Sequence, residues 1–150
     1  MTFNSLSLAF CSKLYPATPE NIADLKKADD RETPRAKDRL QRAMKIGVKI
    51  AMGSDMWSDW PGKTRGEATL YELDGLQKEG IPAIEIVCSS TMNAAELTGW
   101  SDKVGELAAG KFADVIAVIS EPLQDITTLE HAKFVMKGAT IVKNEFAAAR

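Results

Sequence analysis

The segment that most constrains the fold of this chain is GVKIAMGSD, residues 47–55. Three large apolar residues, Val48, Ile50 and Met52, alternate with Lys49 and Ala51, and Gly53 then breaks the pattern. This is typical of a short buried strand that ends in a loop. Asp55 follows and places one carboxylate just beyond the strand. In β/α barrel enzymes the catalytic residues lie at the C-terminal ends of strands, where a carboxylate can bind a metal or accept a proton from water. The pattern predicts an α/β fold with Asp55 as its candidate catalytic residue.

Helical patterns precede this strand. Thr33-Pro34 is typical of a helix start, and apolar residues follow it at the spacing of one helix face until Gly47, which is suited to end the helix. The residues of that face are Ala36, Leu40, Ala43 and Met44. An earlier start signal at Thr18-Pro19 leads into the charged run 26–32, which we expect to be a loop or a frayed helix end. Residues 1–17 fit either a short strand or an irregular segment.

Three more helices are predicted after the strand. Leucines at helical spacing predict the first, which ends at Gly80, and Pro82 opens the second. Asn93 and Glu96 form a capping-box pattern for the third, which Gly99 stops. A strand with helices on both sides is the unit of α/β folds.

The last third of the chain is rich in β-forming residues. Residues 113–119 are nearly all apolar and predict a buried strand. Residues 134–137 and 140–143 predict two strands that are joined by a tight hairpin. We therefore divide the chain into an α/β part, residues 1–100, and a β-rich part, residues 101–150.

Composition and charge exclude several classes of protein. Of the 150 residues 45% are hydrophobic and 27% are charged, as in ordinary globular domains. The net charge of −2 gives no electrostatic case for a nucleic acid or an anionic membrane as partner. No apolar run approaches the ~20 residues that a membrane helix requires. The two cysteines, Cys11 and Cys88, lack metal-ligand spacing and fit thiols of a reducing compartment, so we expect a cytoplasmic protein.

Four motifs follow one another along the chain: GVKIAMGSD, STMNAAELTGW, VGELAAGKFADVIAV and VMKGATIVKN. The third is the most specific, because its glycines, Lys111 and Asp114 stand at fixed offsets before an apolar strand. In this order the motifs resemble the C-terminal part of the metal-dependent amidohydrolases, in the branch of imidazolonepropionase and Xaa-Pro dipeptidase-like enzymes. We interpret Lys111 and Asp114 as structural residues, at a turn and at the start of a strand.

The resemblance implies a (β/α)8 barrel and a small composite β-sandwich made from both chain termini. Residues 48–52 would be the eighth barrel strand, and residues 66–99 would be the helices that pack after it. Residues 104–144 would be the C-terminal contribution to the sandwich. The chain would then be the C-terminal portion of a TIM-like barrel with the C-terminal strands of that sandwich.

The resemblance also implies site residues. Asp55 would be a metal ligand and the general base that accepts a proton from metal-bound water, and the implied cofactor is a divalent metal, one or two zinc ions in the complete family site. Trp57 and Trp60, on the loop after the eighth strand, would line an apolar pocket, and Arg65 would bind a carboxylate of the substrate. From the residues alone, a loop cap, loop packing and a solvated arginine are the alternatives.

The chain has a single histidine, His131, and no His-x-His motif, whereas the family takes its metal ligands from several strands. His131 lies between the β-segments of the tail and is expected to be a surface or packed residue. A catalytic zinc takes three protein ligands, so Asp55 alone cannot hold it. We expect the chain to carry no complete centre unless a complementing chain supplies the other ligands.

Two hypotheses remain open. In the first, the protein is an amidohydrolase that cleaves the C–N bond of a small-molecule amide or dipeptide with metal-activated water. In the second, it is a non-catalytic fragment or interaction module that forms a homo-oligomer through exposed β-edges.

Overall fold

The computed structural model describes residues 18–53 and 64–146. Its elements, in chain order, are α1 (Pro19–Lys45), α2 (Arg65–Lys78), α3 (Ala83–Ser90), α4 (Met92–Leu97), β1 (Val115–Ala117), a 3₁₀ helix (Ile126–His131), β2 (Phe134–Lys137) and β3 (Thr140–Asn144). The described residues fall into two compact units. Unit 1 contains residues 18–48 and 64–81, and unit 2 contains residues 49–53 and 82–146.

Helix α1 is continuous through the charged run 26–32. The prediction of a loop or frayed end in that run is therefore wrong, and so is the second helix start, because Pro34 lies inside the helix. Most residues of the run are charged side chains that a helix tolerates well, and a proline removes only one backbone hydrogen bond from a long helix. The predicted end at Gly47 is confirmed, since the Val48 N–H donates to the Ala43 carbonyl at 3.0 Å in a helix-terminating turn.

The core of unit 1 is formed by apolar residues of α1, of α2 and of the segment that follows α2. Its buried members are Ala36, Leu73, Leu76 and Ile81. Helix α2 begins with a capping box in which Thr64 Oγ1 accepts from the Glu67 N–H at 3.2 Å and Glu67 Oε2 accepts from the Thr64 N–H at 2.8 Å. The helix that the leucine spacing predicts before Gly80 is confirmed.

The helices of unit 2 begin close to their predicted positions. Helix α3 follows Pro82 as predicted, and Ile86 is its fully buried contribution to the core. Helix α4 starts at Met92, after Thr91, so Asn93 lies inside the helix and the predicted capping box is wrong. The side chain of Asn93 bonds instead to a distant backbone carbonyl.

The sheet of unit 2 has three antiparallel strands in the order β1-β2-β3. Strands β2 and β3 form the predicted hairpin, which is confirmed, and their turn has positive φ at both Gly138 (54°) and Ala139 (63°), as in a type I′ turn. A bulge lies between Val135 and Met136. Strand β1 is shorter than the predicted 113–119 and is not buried, since the side chain of Ile116 is 53% exposed.

None of the helices in the described part of the chain combines the length and the apolar character that a bilayer-spanning helix needs.

Candidate functional site

Of the four site residues that the sequence predicts, the structure describes one. Asp55, Trp57 and Trp60 lie outside the described residues. Arg65 is the first residue of α2 and is exposed. A cation at a helix N-terminus gains nothing from the helix dipole, which favours anions there. Arg65 is accessible from solvent, and in the sequence it follows the segment that carries the other three residues.

Residues 49–53, which we call the anchor segment, lead to Asp55 in the sequence and belong to unit 2. The N–H of Met52 donates to the carbonyl of Ser89, at the end of α3, at 2.9 Å. Within the described residues the anchor segment is not part of a sheet, so the predicted strand 48–52 is not observed there. A β-strand requires a hydrogen-bonded neighbouring strand. Here the hydrogen-bond partners of the anchor segment come from helices α3 and α4 instead.

Helix α4 holds the anchor segment at two further points. The side-chain amide of Asn93 donates from Nδ2 to the carbonyl of Ile50 at 2.8 Å. Lys49 Nζ lies 2.5 Å from Glu96 Oε2, but the two side chains are 65% and 57% exposed. An exposed ion pair of this kind stabilises by about 1 kcal/mol at most. The hydrogen bond from the Asn93 side-chain amide to the Ile50 carbonyl is therefore the stronger restraint.

Helices α3 and α4, which carry these contacts, are tightly packed. Ser89 is buried, and its hydroxyl donates to the carbonyl of Ile86 at 2.7 Å. Ala95 of α4 is also buried, and it closely faces Gly105, where an added Cβ would lie only 2.9 Å from the Ala95 Cβ. A side chain at position 105 would therefore push α4 away from the loop that follows it.

The described residues do not fit a metal centre. Across residues 18–53 and 64–146, no three His, Cys, Asp or Glu side chains come together as a bound metal would require. His131 is exposed at the end of the 3₁₀ helix, as expected for a surface residue, and the sequence has no other histidine. Because a catalytic zinc takes three protein ligands, we derive no metal-dependent step from these residues.

Lys111 and Asp114 have structural partners. Lys111 Nζ lies 2.7 Å from Glu106 Oε1 within the same loop. Asp114 Oδ1 accepts from the Gly138 N–H at 2.6 Å, and this hydrogen bond, together with Lys137, holds the pKa of the Asp114 carboxyl below its usual value. Both contacts agree with the structural interpretation of these residues.

Glu79, which caps α2 in unit 1, is a titratable residue that the sequence does not single out. It is fully buried, and neither of its carboxyl oxygens has a hydrogen-bond partner among the described residues. Burial raises the pKa of Glu79, the nearby Glu72 raises it further, and Arg39 lowers it in part. No sequence signal could have identified this group, because its burial depends on how α1 and α2 pack.

The architecture and the four motifs define a class of protein that comparison identifies. The model of the family described as "Amidohydrolase family" matches residues 11–143. The chain belongs to the amidohydrolase family, which confirms the resemblance of its motifs.

Two relatives illustrate how much of the family the chain represents. Ochratoxinase of Aspergillus niger is 33% identical over 108 residues, which are 69% of this chain and 21% of that protein. A crystal structure of a Xaa-Pro dipeptidase with bound methionine has a TM-score of 0.67 and 31% identity, and the match covers 91% of this chain and 32% of that one. The crystal structure of the A. niger ochratoxinase has a TM-score of 0.65 and 28% identity, over 97% of this chain and 31% of that one.

The matched region is therefore 21% of the length of the A. niger ochratoxinase and 32% of the length of the Xaa-Pro dipeptidase chain, so this chain spans only part of its relatives. Its helices and small antiparallel sheet are consistent with part of the amidohydrolase fold, since the neighbours cover nearly all of it.

Proposed function

We propose that the chain takes part in the hydrolysis of a C–N bond in a small amide or dipeptide, with Asp55 as the general base that accepts a proton from the attacking water. The observation that supports this most directly is the family match over residues 11–143, which includes GVKIAMGSD. The anchor segment before Asp55 is held at Ile50 and Met52, and a fixed backbone is what a positioned base needs.

The names of the relatives and three side chains of this chain support the proposed substrate class. The relatives are a dipeptidase and ochratoxinase by name. Trp57 and Trp60 would provide an apolar surface for a substrate side chain, and the exposed guanidinium of Arg65 would bind a substrate carboxylate. A dipeptide or an N-acyl amino acid carries both features.

In the complete site a divalent metal, with zinc as the first choice, would polarise the substrate and activate water. Groups beyond the described residues would have to supply most of its ligands, either elsewhere in a longer chain or from a complementing chain. We further propose that the anchor segment corresponds to the last strand of the family barrel, and that the sheet of unit 2 belongs to its sandwich.

The test compares the whole chain with Asp55→Asn and with Asp102→Asn, a matched change at an exposed position. Hydrolysis of dipeptides and N-acyl amino acids is measured with added zinc, and bound metal is counted by elemental mass spectrometry. We expect Asp55→Asn to lower kcat about 100-fold or more and Asp102→Asn to leave it unchanged. Equal hydrolysis by all three proteins would refute the role of Asp55, and no hydrolysis by any of them would refute activity of this chain by itself.

A second function is favoured by the sheet of unit 2. All five residues of β3 are exposed, and its apolar side chains Ile141 and Val142 are 57% and 68% exposed. Among the described residues β3 pairs only with β2, so its outer edge is open to another strand. We propose self-association through this edge as the alternative, in which the chain acts as an interaction module.

Sedimentation velocity tests this alternative with Val142→Lys, which places a charge on the edge, and with Thr140→Ser as its control. A wild-type oligomer that Val142→Lys converts to monomer would support edge pairing. A wild-type monomer at all concentrations would exclude it.

A further inference from the structure

Three helices of the described chain end in the same hydrogen-bonded turn, the Schellman motif, in which a glycine with positive φ follows the helix. The glycine N–H donates to the carbonyl three residues earlier, and the next N–H donates to the carbonyl five residues before it. The glycines are Gly47 after α1, Gly80 after α2 and Gly99 after α4, and the bonds of all three turns are 2.8–3.1 Å long. The three turns can therefore be compared with one another.

The turns differ in the residue that precedes the glycine. Ile46 and Thr98 hold this place after α1 and α4, and both residues are exposed. After α2 the residue is Glu79, which is fully buried, although a carboxyl group is among the costliest side chains to remove from water. Among these three turns, only the one after α2 therefore encloses a titratable group.

The turn after α2 is packed on both sides of Glu79. The Ile81 N–H donates to the Leu76 carbonyl at 3.1 Å, and the two residues are 5% and 7% exposed. Lys37 of α1 lies against Gly80, where an added Cβ would be 3.2 Å from the Lys37 Cε. Neither carboxyl oxygen of Glu79 has a hydrogen-bond partner among the described residues. The closed turn can thus hold a neutral carboxyl, whereas a carboxylate in it would lack both water and a bonded partner.

The charged groups around Glu79 act on it in opposite directions. Glu72, seven residues earlier on α2, is also buried, and its charge disfavours a second carboxylate nearby. Arg39 of α1 favours the carboxylate, and Lys37 places a further cation beside the turn. Burial is the largest influence, so the pKa of the Glu79 carboxyl lies above its ordinary value.

We propose that residues 76–81 form a proton-operated switch, which is closed while Glu79 carries its proton and opens when that proton is lost. In this step the carboxyl O–H bond breaks, the proton passes to solvent water, and the carboxylate gains the hydration that the closed turn denies it. Opening breaks the bonds that the Gly80 and Ile81 N–H groups donate and releases the contact with α1. Because the folded-state pKa is raised, the closed form is favoured below the ordinary pKa and is lost as the pH rises through the folded value.

Amide hydrogen exchange in the whole chain, followed by NMR between about pH 5 and about pH 8, tests the switch. Protection is expressed relative to an unstructured amide at each pH, since the chemical exchange rate itself rises with pH. We expect the protection of the Gly80 and Ile81 amides to fall about tenfold or more over this range. The Val48 and Trp100 amides, which hold the equivalent place to Ile81 in the other two turns, should keep their protection.

Two variants at position 79 remove the titration. Glu79→Gln keeps the shape of the side chain but cannot ionise, so the protection of the Ile81 amide should no longer depend on pH. Glu79→Met, which is apolar and of similar length, should behave in the same way and replaces Glu79→Gln should that variant fail to fold. Glu85→Gln, at an exposed position of α3, is the matched control and should keep the wild-type pH dependence.

Variants of the two charged neighbours test the assignment further, because they should move the midpoint of the transition in opposite directions. Arg39→Gln removes a cation that favours the carboxylate, so the loss of Ile81 protection should require a higher pH. Glu72→Gln removes a like charge, so the loss should occur at a lower pH. If Glu79 served only to fill space in the turn, neither midpoint would move.

An equal loss of protection in all three turns would overturn the proposal, because it would report general unfolding rather than a local switch. A pH-dependent loss that persists in both Glu79→Gln and Glu79→Met would overturn it as well, and so would constant protection of Gly80 and Ile81 in the wild type. Midpoints that do not move in the Arg39 and Glu72 variants would also count against it. These readouts do not depend on hydrolysis, so this proposal and the proposed function can fail separately.

Discussion

Asp114 Oδ1 accepts a hydrogen bond from the backbone N–H of Gly138 at 2.6 Å, and this contact joins the residue before β1 to the turn of the β2–β3 hairpin. A turn with positive φ at two successive positions leaves its N–H groups pointing outward, where a carboxylate can accept from them. Lys137 Nζ adds a second contact to the same carboxylate at 3.3 Å. The hairpin is therefore fixed by a side chain as well as by its ladder.

The Asp114 contact predicts an acid-sensitive hairpin. The folded-state pKa of Asp114 lies below its ordinary value, chiefly because the Gly138 N–H stabilises the charged form. Its contribution is thus fully present above the ordinary pKa and is lost as the pH falls through the folded value. Protection of the Gly138 amide from exchange should decrease on acidification below about pH 4. Asp114→Asn should show no such step, and a step of equal size in that variant would contradict the assignment.

The turn residue Ala139 predicts a stabilising substitution. Its φ of 63° lies in the left-handed region, which costs an L-residue with a Cβ about 1 kcal/mol and costs glycine nothing. Ala139→Gly should therefore raise the free energy of unfolding by up to about 1 kcal/mol, less the entropy that glycine adds to the unfolded chain. Chemical denaturation measures it, with Ala132→Gly, at a φ of −54°, as the control that should be destabilised. Equal loss of stability in both variants would show that the turn is not strained.

The buried carboxyl of Glu79 predicts that stability falls as the pH rises. Its folded-state pKa is raised, first by burial and then by Glu72, so its contribution is present below the ordinary pKa and is lost as the pH rises through the folded value. Glu79→Gln removes the charge and should stabilise the protein by about 1–3 kcal/mol at pH 7. Urea denaturation between pH 4 and pH 8 should show a flatter profile for this variant, whereas Glu85→Gln, at an exposed position of α3, should follow the wild type. A wild-type profile that rises steadily over this range would contradict the prediction.

Gly105 and Gly110 offer a matched pair that isolates one contact. Both have positive φ, 103° and 89°, so alanine is strained at each position. Only at Gly105 would the new Cβ lie 2.9 Å from the Ala95 Cβ, whereas at Gly110 it would meet open space. Thermal denaturation should show Gly105→Ala to be less stable than Gly110→Ala by about 1–3 kcal/mol. If the two variants melt together, the approach of α4 to this loop is looser than described.

Local signals predicted those elements whose geometry depends on nearby residues. The hairpin at Gly138-Ala139 and the helix end at Gly47 are of this kind, because each is set by a few adjacent backbone angles. The capping pattern of Asn93 and Glu96 failed for the opposite reason. Both side chains bond to the anchor segment more than 40 residues earlier, and tertiary contacts of that range leave no local trace.

Two further features of the structure could not be predicted from sequence patterns. Thr33-Pro34 has the form of a helix start, yet Pro34 lies inside α1, because the contacts of a long helix outweigh one missing hydrogen bond. Glu79 looks like an ordinary charged residue at a helix end, and only the packing of unit 1 makes it a buried carboxyl. The family could be predicted because its motifs are sequence patterns, whereas the predicted site residues Asp55, Trp57 and Trp60 lie outside the described residues.

The anchor segment is synthesised well before the helix residue that binds it. Ile50 leaves the ribosome 43 residues before Asn93, the residue that binds its carbonyl. Until Asn93 has been synthesised, the Ile50 carbonyl lacks this hydrogen-bond partner. Closing a loop of this length costs conformational entropy, which the contacts of the anchor segment must offset. Because unit 2 joins residues 49–53 to residues 82–146, the anchor segment gains its partners only after those later residues have been synthesised.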